Sequence, residues 1–312
     1  MLSRVAESLY WMSRNIERAE SLARVIDVAF NRTVDRNAAG RDRAQRMWRR
    51  VLELSGTRES PPEIEGPSAA LEAFSLSCFD VDNRSSLISC VRVARANALG
   101  VRAELTTEVW ESINSMYLFV ESQSPAAIAR EGPSGFLRRI RDAGVAFGGI
   151  VDATLTHGDE WLFLQLGRYI ERGSMTARIL QTHDLGDDSA AEWQRLLEMC
   201  CASEPFARAQ RHSSEPSEVI AFLLLHDAFP RSVRFCVGEV DRALHRISET
   251  PPGSYSNETE RLTGRLHATL DFAQLQEIID DGPIAFTVRV ADRLATIGAA
   301  IETTYFPRVP VA

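Results

Sequence analysis

The chain has 312 residues and a formal net charge of −8, with 45% hydrophobic and 25% charged residues. This length can bury a sizeable core, and the composition is that of a folded globular protein. The acidic balance argues against a general nucleic-acid-binding protein, because binding phosphates needs a basic surface. No apolar run approaches the roughly 20 residues of a membrane span, and Met1 to Met12 lacks a signal-peptide core, so we expect a cytoplasmic protein.

Apolar residues recur at alternating intervals of three and four from Leu2 to Ile26, which predicts a long first helix. Proline- and glycine-containing breaks separate the elements that follow, and the period-two alternation of strands is missing from the sequence. The further helices are predicted at 41–54, 67–78, 85–120, 134–155, 159–182, 190–201, 216–225, 230–248, 257–279 and 284–305. The predicted fold class is therefore all-α.

One segment occurs twice, first as Arg14-Asn15-Ile16-Glu17-Arg18 and again as Arg168-Tyr169-Ile170-Glu171-Arg172. The first residues of the two segments are 154 positions apart. Three more blocks recur in the same order at offsets of 145 to 150, and they include the match of Ser86 to Ser232. We therefore predict a helical bundle of two tandem repeats, 1–157 and 158–312, related by a pseudo-two-fold axis and packed as one compact unit.

The repeated segments carry arginine and glutamate at helical spacings, so their side chains lie on adjacent turns. The sequence contains no lysine, and arginine is favoured where a guanidinium is partly buried, forks a carboxylate or phosphate, or stacks on an aromatic ring. The candidate residues for binding an anion or ligand are Arg14, Arg18, Arg168, Arg172, Trp11 and Tyr169. Glu17 and Glu171 are the candidate acid–base residues.

Two interpretations of these Glu-Arg segments stay open. The charges could tie helices together through ion pairs, which residue type alone favours over a ligand site. Four arginines set against two glutamates would still leave guanidiniums for a carboxylate or phosphate. We predict that Glu17 and Glu171 are buried and accept hydrogen bonds from arginines, and that a positively charged pocket forms beside Trp11 or Tyr169.

Other polar residues are weaker candidates for a site. Some share the outer stripe of the first helix, some lie on the helix predicted at 85–120, and some begin a helix, where N–H groups can hold an anion. Ordinary pairing or helix capping is the favoured role for them. These secondary candidates are Arg4, Glu7, Arg95, Glu108, Arg231 and Ser232.

Motifs of familiar catalytic and metal sites are missing from the sequence. The six histidines form no H-E-x-x-H, and the five cysteines form no C-x-x-C, so we expect no metal and interpret the cysteines as reduced, buried thiols. There is no phosphate-binding loop, no dinucleotide-binding glycine pattern and no G-x-S-x-G. We therefore expect no cofactor.

The segment Leu2-Ser3-Arg4-Val5-Ala6-Glu7-Ser8-Leu9-Tyr10-Trp11, followed by Arg14 and Glu17-Arg18-Ala19-Glu20, resembles the bacterial alpha-E family. That family is an all-helical domain with a Glu-Arg motif, found as a tandem duplication. The segments 85–114, 167–178 and 229–233 resemble its other blocks. The resemblance places the motif on Glu17-Arg18 and Glu171-Arg172. Gly173 stands where the first copy has Ala19, and Arg84 stands where the second has Pro230, but neither change removes a motif charge.

The resemblance implies a bacterial system of peptide synthesis or modification. The implied partners are a circularly permuted ATP-grasp amide ligase, a transglutaminase-like protein and an Ntn-type peptidase. Our first hypothesis is an accessory protein that docks the ligase and presents an anionic small molecule or peptide. The alternatives are an enzyme that forms or cleaves an amide with Glu17 or Glu171 as acid or base, and a purely structural helical partner. We favour the first, without catalysis by the chain alone, because neither a nucleophile nor a phosphate loop is visible.

Overall fold

A computed structural model describes residues 2–31, 38–57, 66–182, 189–209 and 215–307. Within these ranges all regular elements are helices and no strand occurs, so the all-α class is confirmed. The α-helices are α1 (Ser3–Asn31), α2 (Ala38–Leu54), α3 (Gly66–Phe79), α4 (Leu87–Gly100), α5 (Thr107–Glu121), α6 (Pro125–Glu131), α7 (Ser134–Thr154), α8 (Asp159–Gln181), α9 (Ala190–Met199), α10 (Ser203–Ala209), α11 (Pro216–Leu225), α12 (Val233–Ser248), α13 (Glu258–Phe272), α14 (Leu275–Asp281) and α15 (Pro283–Tyr305).

The packing of the chain defines two compact units. One comprises the residues up to Arg14 together with those from Thr156 onward, and we call it the α8 unit. The other, the α4 unit, comprises Asn15–Leu155. Helix α1 contributes its first turns to the α8 unit and the rest to the α4 unit. The residues up to Arg14 thus belong to the unit that contains the predicted second repeat, not to the one that contains the rest of the first. The tandem duplication itself stays a prediction.

In the α4 unit, α5 packs against both α4 and α7, and α3 packs against α4 and α2. A cluster of phenylalanine rings fills its core: Phe79 stacks on Phe136 with ring centroids 5.5 Å apart, and Phe119 lies 5.8 Å from Phe136. Trp48 of α2 is fully buried and meets Phe30 edge-on. Burying such rings removes a large apolar area from water, which is the main stabilising contribution to this core.

The α8 unit is built around α8, which packs against α12 and α15, while α13 packs against both α12 and α15. Side chains of α8 are buried on most of its circumference, from Leu162 to Leu180. A helix that is buried nearly all round belongs to the centre of a bundle. The repeated Arg-Tyr-Ile-Glu-Arg segment therefore lies on the central helix of its unit.

The prediction of one continuous helix at 85–120 is wrong. Helix α4 ends at Gly100, Val101 leaves helical geometry (φ −127°, ψ 28°), and a short 3-10 helix follows at Arg102–Glu104. Thr106 then caps α5, because its Oγ1 accepts a hydrogen bond from the N–H of Val109 at 3.3 Å. The turn lets α5 fold back along α4. The helix predicted at 257–279 is likewise divided, into α13 and α14.

The starts of α4 and α12 share the same local interactions. Ser86 accepts a hydrogen bond from the N–H of Ser89 at 3.3 Å, and Ser232 accepts one from the N–H of Phe235 at 3.1 Å. The thiol of Cys90 donates to the carbonyl of Ser85, as the thiol of Cys236 does to Pro230, both at 3.6 Å. The first turns of α4 and α12 are thus capped by a serine side chain in the same way.

All five cysteines lie in described ranges and none forms a disulfide. Cys78, Cys90, Cys200 and Cys236 are buried, as predicted, and burial raises the pKa of the Cys78 thiol well above its usual value. The prediction is wrong for Cys201, which is exposed. Its backbone turns into the left-handed region (φ 57°) just after α9 and so directs it away from the core.

Candidate functional site

The first turns of α1, the middle of α8 and the last turns of α15 bring together the residues that we call the Arg14 cluster: Tyr10, Trp11, Arg14, Glu171 and Glu302. Arg14 Nε donates to Glu171 Oε2 at 3.0 Å, and Arg14 Nη1 donates to the Tyr10 hydroxyl at 3.1 Å. Glu302 of α15 approaches Arg14 Nη1 at 3.9 Å. The Glu171 side chain is only 3% exposed and that of Arg14 15%. The pair is therefore largely shielded from water.

Aromatic rings complete the surroundings of the Arg14 guanidinium. Its central carbon lies 4.6 Å from the Trp11 ring centroid and 5.3 Å from that of Tyr10. Burial raises the pKa of Tyr10 to about 12, and the positive charge of Arg14 only partly opposes this effect. Tyr10 is therefore a neutral hydroxyl at physiological pH, able to accept the hydrogen bond from Arg14.

Close contact between α1 and α8 is what allows the Arg14 cluster to form. A β-carbon on Gly167 would overlap the carbonyl oxygen of Tyr10 and would lie 3.1 Å from both the Arg14 nitrogen and the Ser13 β-carbon. Only glycine permits the two backbones to approach this closely. One helical turn further along α8, Glu171 then meets Arg14.

The predicted burial of both motif glutamates is confirmed, with Glu17 7% and Glu171 2% exposed. The predicted arginine partner is confirmed for Glu171. This carboxylate is engaged by the guanidinium of Arg14. It is poorly placed to exchange protons with a substrate.

The remaining motif residues of α8 have partners within their own unit. Arg168 is buried and donates from Nη1 to Gln165 Oε1 at 3.1 Å. Arg172 lies over the ring of Tyr169 at 5.4 Å. Burial raises the pKa of Tyr169, while Arg172 and Arg168 oppose the rise. These contacts are those of a helix face that is tied into the bundle.

The first motif is divided between the units. Arg14 belongs to the α8 unit, whereas Glu17 and Arg18 belong to the α4 unit. There Arg18 Nη1 lies 3.5 Å from the hydroxyl of Ser85, just before the cap of α4. Three of the four candidate arginines thus share one unit, and Arg18 is placed in the other.

Each unit contains a cavity. The cavity of the α4 unit has a volume of about 730 Å³ and lies between α5 and α7. It is lined by Glu108, Glu111, Phe119 and Arg139, and by small residues of α7. That of the α8 unit, about 270 Å³, is lined by Phe286, Arg289 and Arg293 among others. Neither cavity includes a residue of the Arg14 cluster. The positively charged pocket beside Trp11 or Tyr169 stays a prediction.

The secondary candidates occupy separate places in the structure. Arg4 is exposed and Glu7 half-buried on the first turns of α1. Glu108 is exposed at the start of α5 and lines the larger cavity. Ser232 is buried as the cap of α12, and the carbonyl of Arg231 accepts a hydrogen bond from Thr176 at 2.8 Å. Arg95 stacks on the ring of Tyr117, so it joins an aromatic face formed by α4 and α5.

A second polar cluster was not identified from sequence. His267 Nδ1 lies 3.1 Å from Asp241 Oδ2, and His267 Nε2 lies 3.5 Å from Asp271 Oδ2. His245 Nε2 is 3.7 Å from Asp241 Oδ1. The spacing of four in Asp241–His245 and in His267–Asp271 is a signal that could have been noticed. Within the described ranges, no group of three or more histidine, cysteine, aspartate or glutamate side chains is placed to hold a metal ion.

No helix among the described residues combines the length and apolarity that a membrane span needs. No solved structure is significantly similar to the chain. The chain is 23% identical to an uncharacterized protein of Mycobacterium tuberculosis strain H37Rv and to one of Mycobacterium bovis, over 96% of its own length. It spans only 36% of the length of these curated relatives.

The family comparison covers almost the whole chain. A family model described as "a predicted alpha-helical domain with a conserved ER motif" matches residues 1–306. The helical fold agrees with that description, and Glu17-Arg18 and Glu171-Arg172 are the Glu-Arg pairs of the repeated segment. The chain belongs to the Alpha-E family.

Proposed function

We propose that the protein is an accessory binding protein of a bacterial peptide-synthesis or peptide-modification system, acting with an ATP-grasp-type amide ligase and without catalysing the reaction itself. The observation that carries the proposal is the Arg14–Glu171 pair. Its carboxylate is 3% exposed and bonded to a guanidinium at 3.0 Å. A general acid or base must reach the proton that it transfers, and this glutamate is instead engaged in holding two helices together.

The Arg14 cluster also bears on the alternative of an amide-forming or amide-cleaving enzyme. Such an enzyme needs an acid–base group with a shifted pKa that faces a pocket. The cavity between α5 and α7 and the cavity lined by Phe286 and Arg289 include neither Glu171 nor Glu17. A role as a binding or docking module fits these contacts better than a role in acid–base catalysis.

The resemblance to a family that accompanies ATP-grasp ligases and transglutaminase-like proteins supports the choice of partner. The curated mycobacterial relatives are longer than this chain, which matches 36% of their length. A module that occurs as a part of larger proteins is one that can act beside other modules. The ligand presented to the ligase would be an anionic small molecule or peptide, since the chain's basic residues are all arginine.

Reconstitution tests the proposal. The purified chain, a co-encoded ATP-grasp ligase, and the two together would be assayed for amide formation and ATP consumption. We expect no turnover by the chain alone and faster turnover by the ligase when the chain is present. Turnover by the chain alone that Glu171→Gln abolishes, while Glu302→Gln does not and both variants stay folded, would establish the enzyme alternative. Binding without any change in turnover would favour a purely structural partner.

A further inference from the structure

The outer face of the α4 unit carries two arginines that share one aromatic ring. The guanidinium of Arg95 lies 5.8 Å from the ring centroid of Trp110, and that of Arg102 lies 5.4 Å from the same centroid. Arg95 also lies 4.3 Å from the ring of Tyr117. The two guanidiniums are therefore within about 11 Å of each other, the sum of their distances to the shared ring.

These side chains belong to two helical stripes that face each other. On α4 and the 3-10 helix the stripe consists of Arg92, Arg95, Leu99 and Arg102, and on α5 it consists of Trp110, Asn114, Tyr117 and Glu121. Spacings of three and four place the α4 residues along one side of α4 and the α5 residues along one side of α5, and Arg102 follows directly after α4. We call the two stripes together the Arg95 face.

The ionic partners of the three arginines on this face differ. Arg92 is bonded in fork geometry to Glu121, with Nε–Oε1 at 2.6 Å and Nη2–Oε2 at 3.0 Å. Among the described residues, Arg95 and Arg102 have no carboxylate within ion-pair distance. Arg95 Nε donates to Asn114 at 3.0 Å, and Arg102 Nη1 donates to the Leu105 carbonyl at 3.3 Å. The other N–H groups of the Arg95 and Arg102 guanidiniums have no hydrogen-bond acceptor among the described residues.

The acidic residues at the start of α5 do not balance these charges. Glu108 and Glu111 line the cavity between α5 and α7, on another side of α5. A half-buried guanidinium stacked on a ring still presents its in-plane N–H groups, and these match the geometry of a carboxylate. Two such guanidiniums without a carboxylate leave a local positive charge on an acidic protein.

We infer that the Arg95 face binds a carboxylate-bearing segment of a partner protein. Tryptophan, tyrosine and arginine are the residues most enriched at the energetic centres of protein interfaces. Leu99, between the two arginines, is 49% exposed, and Leu118 on α5 is 57% exposed. Such apolar side chains add contact area for a polypeptide that a small inorganic anion could not use. The inference rests on these contacts and is independent of the Arg14 cluster and of the ligase.

The spacing of the arginines indicates what the segment should contain. Through the shared Trp110 ring, the guanidiniums of Arg95 and Arg102 are separated by at most about 11 Å. Residues three apart in an extended chain are separated by about the same distance. A segment with two acidic residues three positions apart and an apolar residue between them would reach both guanidiniums and Leu99.

Fluorescence anisotropy with a labelled octapeptide tests the inference. The probe carries two glutamates three positions apart with a leucine between them, and a comparison peptide carries glutamines instead. We expect the acidic peptide to bind the full chain, the glutamine peptide not to bind, and added salt to weaken binding. Arg95→Gln and Arg102→Gln should each weaken binding by about tenfold.

The control variant is Arg138→Gln, which removes an exposed arginine of the same unit outside the face and should leave binding within about twofold of the wild type. Circular dichroism and melting temperature establish that each variant is folded. The inference is overturned if the anisotropy shows no binding of the acidic peptide at a protein concentration of about 1 mM, at which a complex with a Kd of about 1 mM would be detected. Equal losses in Arg138→Gln and Arg95→Gln would also overturn it. So would displacement of the peptide by inorganic phosphate at the same concentration, which would identify a small-anion site.

Discussion

Arg14 Nε lies 3.0 Å from Glu171 Oε2, so the first helix is paired with a carboxylate 157 residues further along the chain. Because both groups are largely buried, removing one leaves the other uncompensated in a medium that solvates charge poorly. We predict that Glu171→Ala lowers the free energy of unfolding by about 3 kcal/mol. Urea denaturation monitored by circular dichroism measures this loss.

A neighbouring glutamate supplies the control for that experiment. Glu302 lies 3.9 Å from Arg14, but its side chain is 45% exposed. Glu302→Ala should therefore change stability by less than about 1 kcal/mol. The double variant Arg14→Ala/Glu171→Ala should be less destabilised than the sum of the single variants, because the two lost groups interacted with each other. Additive losses would show that Arg14 and Glu171 do not stabilise each other.

The helices and the burial of the motif glutamates could be predicted from sequence because both depend on local information. The regular spacing from Leu2 to Ile26 identifies α1, and the repeated Glu-Arg segment marks Glu171 as a residue needing a partner. The break at Val101 was missed because the apolar pattern continues on both sides of it. Its signals are weak, a glycine at 100 and a capping threonine at 106.

The partners within each site could not be predicted in the same way. Glu302 meets Arg14 from a helix that begins almost 270 residues later, and nothing local in the sequence connects them. The sharing of the Trp110 ring by Arg95 and Arg102 depends on α5 folding back along α4, which a continuous helix at 85–120 would forbid. Because the end of α4 at Gly100 was not predicted, the Arg95 face could not be predicted either.

The buried Glu17 leads to a second prediction about stability. Glu17 is only 7% exposed, so protein atoms rather than water surround most of its side chain. Replacing it with alanine removes those contacts and the charge that they balance, so Glu17→Ala should cost about 3 kcal/mol of stability. Glu72→Ala is the matched control, because it removes an exposed glutamate of the same unit. A melting temperature equal in both variants would contradict a stabilising role for Glu17.

Gly167 provides a test of the close approach of α1 and α8. An alanine there would place its β-carbon against the backbone of Tyr10 and Arg14, which cannot move without displacing α1. We predict that Gly167→Ala destabilises the fold by at least about 2 kcal/mol, the range of overpacked helix contacts. Gly149→Ala is the comparison, since a β-carbon at that helical position meets no atom within 4 Å.

The same chemical change should have opposite effects at the two glycines. Alanine favours the helix over glycine by up to about 1 kcal/mol, so Gly149→Ala should leave stability unchanged or raise it. Differential scanning calorimetry on both variants would detect the contrast. If Gly167→Ala were as stable as Gly149→Ala, the backbones of α1 and α8 could not be in direct contact at Gly167.

The histidine between α12 and α13 predicts how stability depends on pH. The hydrogen bond from His267 to Asp241 raises the pKa of this histidine above its usual 6.5, and burial opposes the rise. The negative charge of Asp271 raises the pKa further, whereas the positive charge of Arg242 lowers it. A raised pKa in the folded state means that protonated His267 stabilises the fold. The stabilisation is complete below the unfolded-state pKa of about 6.5 and is lost as pH rises through the higher folded-state pKa.

We therefore expect the melting temperature of the wild type to fall between pH values of about 6 and about 9 by more than that of His267→Gln. The glutamine can keep a neutral hydrogen bond to Asp241 but cannot carry the charge. His157→Gln removes an exposed histidine from the same unit and should preserve the pH dependence of the wild type. Parallel melting curves for wild type and His267→Gln across this range would show that the charge on His267 does not couple α12 to α13.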